Sequence, residues 1–95
     1  GDFFSAQRAF DVGFVNRLTE GAAIDAAIEL ATTVAANGPL ALKATKKIIN
    51  ESYDWSSEEA WKKQNEITMP VFASKDAQEG SLAFAQKRKP DWKGE

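Results

Sequence analysis

Histidine and cysteine are both absent from the 95 residues. The first absence removes the side chain most often used as a general base near neutral pH. The second removes thiolate nucleophiles and disulfides, and the two together remove most zinc arrangements. Neither a catalytic residue nor a metal site is therefore expected here. The six glycines never fall into the spacing of a phosphate-cradling loop. No apolar run approaches the roughly 18 residues of a membrane helix, so no membrane partner is expected. Asp2, Arg8, Asp11, Arg17 and Glu20 interrupt the first twenty residues, which form no apolar core of a secretory signal. A net charge of -2 gives no global attraction for nucleic acid.

What is present is a chain of helix signals. The 43% apolar and 27% charged fractions suit a soluble globular chain, and its length sets a ceiling of one small domain, 1–95. "SAQRAFDVG" reads as a short helix that Ser5 can cap and Gly13 can end in the left-handed region. "FVNRL" alternates over too few residues to define a strand. Over 22–36, Ile24, Ala27, Ile28, Ala31, Val34 and Ala35 follow the spacing of one helix face. Gly38-Pro39 stops that helix and starts the next, because proline suits a first turn whose N–H has no partner. Ser56 or Ser57 caps a fourth helix predicted to reach about Ala73, with Pro70 predicting a kink or an earlier end. Ser74 or Asp76 caps a last helix predicted to reach about Arg88, with Pro90 beyond it.

Two features of that last stretch bear on chemistry. Asp76 and Glu79 share a helix face at i, i+3, and their position at a helix start favours a capping role over acid–base catalysis. On a helix extended to Arg88, Phe84 and Lys87 lie one turn apart with Arg88 on the same side. An aromatic ring and cationic heads so arranged suit a nucleotide, adenine on the ring and phosphate on the lysine. The plainer account makes Phe84 a core residue and Lys87, Arg88 and Lys89 a solvated helix end that complements the dipole.

Three stretches, "SAQRAFDVGFVNRL", "ANGPLALKATKKIIN" and "FASKDAQEGSLAFAQKRKPDWKG", resemble in order the C-terminal part of the crotonase superfamily, the enoyl-CoA hydratases and isomerases. The resemblance covers essentially the whole chain. Departures are small: Phe14 stands where leucine is usual, Gln86 where glutamate is frequent, and Ser81-Leu82 where Gly-Pro is frequent. The resemblance implies an all-α fold of four to five helices, the C-terminal trimerisation domain of the ClpP/crotonase-like fold. Residues 1–18 would be a short helix and connection, and 19–95 the oligomerisation and CoA-contacting region.

In the family, a preceding region about twice this long supplies the oxyanion-hole amides and the catalytic carboxylates. The resemblance therefore implies a C-terminal fragment of a cytoplasmic lyase, inactive alone, from an enzyme of fatty-acid metabolism that hydrates trans-2-enoyl-CoA. Acyl-CoA would be substrate, no cofactor would be needed, and the helices would join subunits into a trimer or hexamer. Phe84 would flank the adenine of CoA held by a neighbouring subunit, and Lys87 would meet its 3′-phosphate. Trp55, Trp61, Trp92 and six phenylalanines are a heavy aromatic load for so small a core, as expected of a surface to be covered. For the alanine-rich helix over 22–36, trimer interface and internal core both stay open. The rival class is a stand-alone helical interaction module without catalysis. A weaker one is nucleic-acid binding through Lys87, Arg88, Lys89, Trp92 and Lys93, against which the acidic remainder argues.

Overall fold

The computed structural model describes residues 1–95 and contains five α-helices, one 3₁₀ turn and no strand. The all-α expectation holds, and "FVNRL" forms bends and coil. No helix is long and apolar enough to cross a membrane. The chain divides into two units, Gly1–Val34 and Ala35–Glu95.

In the first unit, α1 (Ala6–Asp11) starts at Ser5, whose hydroxyl accepts the Arg8 amide N–H at 3.1 Å. It ends where Gly13 turns left-handed, at φ +75°, and the amides of Gly13 and Phe14 donate to the carbonyls of Phe10 and Ala9. That pair of bonds is the Schellman stop the sequence foretold. Phe4 and Phe14 meet edge to face with centroids 6.3 Å apart. α2 (Ala23–Ala35) follows, with none of its residues buried, and Arg17 reaches its Glu29 at 3.5 Å.

The second unit holds α3 (Pro39–Glu51), the 3₁₀ turn Ser52–Asp54, α4 (Ser57–Phe72) and α5 (Lys75–Ala85). Pro39 occupies the first turn of α3, as its fixed φ favours. Ser56 caps α4: its hydroxyl accepts the Glu59 amide N–H and donates to the Glu59 carboxylate. α4 does not end at Pro70 but continues to Phe72. Proline removes one late backbone bond there, and the Ala73 amide still closes the helix onto the Met69 carbonyl. α3 packs on α4, and α4 on α5. The buried apolar residues of the chain are three alanines, Ala9, Ala44 and Ala83, and no large side chain is fully buried.

Candidate functional site

The last helix and the tail carry both residues the sequence singled out. Ser74, not Asp76, caps α5, its hydroxyl accepting the Ala77 amide N–H at 3.1 Å. The helix ends at Ala85, three residues before the predicted limit at Arg88. Its stop is a second Schellman motif: the Lys87 amide donates to the Phe84 carbonyl at 3.2 Å, and the Arg88 amide to the Ala83 carbonyl at 3.0 Å. Lys87 takes the left-handed position with φ 54°, where a helix usually places glycine. The predicted common helix face for Phe84, Lys87 and Arg88 therefore does not form. Phe84 and Lys87 are tied instead by the backbone bond of the turn.

Arg88 is turned back onto α5. Its two terminal nitrogens grip the Glu79 carboxylate at 2.6 and 2.9 Å, while Nε donates to the Gln86 side chain at 2.7 Å. This is the bidentate geometry of a guanidinium on a carboxylate. Glu79 also accepts the Asp91 amide N–H at 2.8 Å. Asp76, buried, accepts the amides of Lys93 and Gly94 at 2.8 and 2.9 Å. The capping role read for these two acids is thus corrected: both serve backbone N–H groups, but those of the tail. Nothing local in the sequence signals such a pairing, because the donors are main-chain groups 12 to 18 residues away.

Trp92 completes the closure. Its indole N–H donates to the Ala36 carbonyl at 2.9 Å, and its ring lies over Gly38 and Gly80. The available signal for this contact was a glycine inside a helix, at Gly80, a costly choice there that a close-packed neighbour accounts for. Leu40, Val71, Phe72, Gly80, Phe84 and Trp92 are among the residues that line a groove of about 590 Å³ in this unit. Phe84 is 88% exposed, so within this chain it is no core residue. The Lys87 side chain is exposed and makes no hydrogen bond or ion pair, whereas Lys93 pairs with Asp91 at 2.7 Å.

The Arg88 hydrogen bonds, followed by the Asp91 amide, hold the Glu79 carboxyl well below its ordinary range, at about 2. Because the folded value lies below the unfolded one, its contribution is present above about pH 4.5 and is lost as pH falls through about 2. The stability difference between wild type and Glu79→Gln should accordingly be constant from neutral pH to about 5 and shrink toward zero near pH 2, in urea unfolding at stepped pH. A difference that is flat down to pH 2 would refute the linkage.

The helical fold and the clasped tail define a segment built around its own C-terminal motif. The family model for enoyl-CoA hydratase/isomerase matches residues 1–95. The chain belongs to that family. Its sequence is 39% identical over 93 residues to the enoyl-CoA hydratase EchA19 of Mycobacterium tuberculosis, covering 97% of this chain and 35% of that one. It is also 39% identical over 99 residues to the carnitinyl-CoA dehydratase of Proteus mirabilis, covering 99% and 38%. The crystal structure of the enoyl-CoA hydratase EchA1 of Mycobacterium marinum superposes with a TM-score of 0.95 at 54% identity, over 100% of this chain and 38% of that one. A Mycobacterium tuberculosis enoyl-CoA hydratase gives 0.96 at 52%, with the same coverage. The chain thus spans between a third and two fifths of the length of these relatives, and its architecture is the helical part of the crotonase fold.

Proposed function

We propose that this chain works as the C-terminal segment of an enzyme that hydrates trans-2-enoyl-CoA to 3-hydroxyacyl-CoA. Its share of the work is subunit assembly and the adenine and 3′-phosphate end of the CoA site. The observation that carries the reading is coverage: the chain matches the family from end to end, yet spans 35% to 38% of its relatives. Water would be added across the double bond by groups elsewhere in the enzyme. The two carboxylates that share a face of α5, Asp76 and Glu79, are engaged with backbone amides and leave no free acid–base pair there.

Phe84 would flank the adenine and Lys87 would meet the 3′-phosphate. Support comes from the exposed ring, the uncommitted ammonium and the neutralisation of Arg88 and Lys93 by Glu79 and Asp91. That leaves few free cations at this end of the chain, enough for one phosphate and poor for a polyanion. Two measurements test the reading. The intact gene product should have about three times the mass of this chain; a product of only these residues would favour the stand-alone interaction module, whose motive is the exposed apolar surface. In the full enzyme, Lys87→Gly suits the left-handed turn and removes an exposed side chain together with its charge, so the fold should survive. It is expected to raise the KM for crotonyl-CoA about tenfold and to leave the KM for 3′-dephospho-crotonyl-CoA unchanged. Equal effects on the two esters would refute the phosphate contact.

A further inference from the structure

Lys87 stands in a conformation that ordinary side chains avoid, and its neighbours show what keeps it there. On one side the helix stop fixes its amide to the Phe84 carbonyl. On the other, Arg88 is held by a two-point grip on Glu79, a bond from Nε to Gln86 and a further bond from a terminal nitrogen to the Lys89 carbonyl at 3.1 Å. Glu79 is itself anchored in α5 and holds the tail through the Asp91 amide. The turn is pinned on both flanks, and between the pins projects an ammonium that bonds to nothing in the chain. A strained position occupied by a long charged side chain, where glycine would sit without strain, is the mark of a group placed for use.

We infer that Glu79 and Arg88 are positioning residues, which fix the left-handed turn and so aim the Lys87 ammonium at the phosphate of the ligand. The inference rests on the reading of Lys87 as the phosphate contact and adds what that reading lacks, the reason the lysine is pre-set. A lysine on a loose tail would have to lose its freedom on binding; one already held by the turn loses less. Arg88 does this through geometry as well as charge, because a lysine in its place cannot span both carboxylate oxygens. The arginine of this basic run therefore serves the lysine beside it and does not bind the ligand.

The test uses the full enzyme with CoA and 3′-dephospho-CoA as titrants in calorimetry, and reads the ratio of the two dissociation constants. Glu79→Gln and Arg88→Lys are each expected to weaken CoA by about threefold to tenfold and to leave dephospho-CoA unchanged, moving the ratio toward that of Lys87→Gly. Combining Glu79→Gln with Lys87→Gly should add nothing to Lys87→Gly alone, since a pin has no effect on the ratio once the charge it aims is gone. Circular dichroism and sedimentation check that each variant keeps its fold and assembly, and Arg88→Lys is the milder change. Should Lys87→Gly collapse the ratio while Glu79→Gln and Arg88→Lys leave it at the wild-type value, the positioning role is overturned and the phosphate site stands. Equal weakening of both ligands by the two pin variants overturns it too, as a purely structural effect. If Lys87→Gly itself leaves the ratio untouched, the site reading fails and the positioning role falls with it.

Discussion

Trp92→Ala is expected to destabilise the second unit by about 2–3 kcal/mol, less than a fully buried tryptophan would cost because the ring is half-buried. The loss combines the ring contacts over Gly38 and Gly80 with the indole bond to the Ala36 carbonyl. The sharper test lies at Gly80. A methyl group there would stand 2.9 Å from Cη2 and 3.2 Å from Cζ3 of Trp92, closer than side-chain carbons approach. The indole is flat and tethered by its N–H, so it cannot simply swing aside. Two effects of opposite sign compete: alanine is favoured over glycine within a helix by about 1 kcal/mol, and overpacking costs about 1–3 kcal/mol. With Trp92 present, Gly80→Ala should be destabilising by about 1 kcal/mol; in a Trp92→Ala background it should become stabilising by about as much. Chemical denaturation of the four proteins of this cycle decides it. A Gly80→Ala effect of the same sign in both backgrounds would show that the ring does not govern the glycine.

The second large effect concerns the chain alone: it should self-associate and bind a hydrophobic dye such as ANS. A folded monomer of 10.4 kDa exposes about 5,400 Å², and even two separate globules of that combined mass about 6,500 Å². The chain exposes 8052 Å², and the excess includes Phe3, Phe14, Tyr53, Trp61, Phe72 and Phe84, each at least 71% exposed. Exposed apolar surface on this scale favours association in water. Sedimentation velocity should show species heavier than the monomer, with dye fluorescence well above that of the full enzyme. A monodisperse monomer that ignores the dye would mean the aromatic side chains are tolerated in water, and would weaken the assembly role.

Much of the fold was legible because helix boundaries are local events. Ser5, Ser56 and Ser74 each cap the helix that follows, and Pro39 starts α3, since a hydroxyl or a missing N–H acts within three residues. The end of α5 was not legible. Its stop places lysine in the left-handed position, so the usual glycine signal is absent, and the basic run reads as one more helical turn. The candidate site was legible only in part. Phe84 and Lys87 could be named from their chemistry, but their relation could not, because it depends on that turn. Asp76 and Glu79 read as caps since they sit at a helix start; their partners are amides of the tail, and a backbone N–H has no letter of its own in a sequence.

The indole bond from Trp92 to Ala36 spans 56 positions of chain, whereas the carboxylate clasps of the tail span no more than 18. The two spans carry different closure costs. α3 and α4 can pair as soon as both exist, because the turn between them is short and closing it costs little entropy. The long span carries the larger closure entropy, and the bonds of Asp76 and Glu79 to the tail, once made, shorten the loop that Trp92 has to close. The two acids of α5 therefore lower the entropic cost of the contact that covers the start of α3.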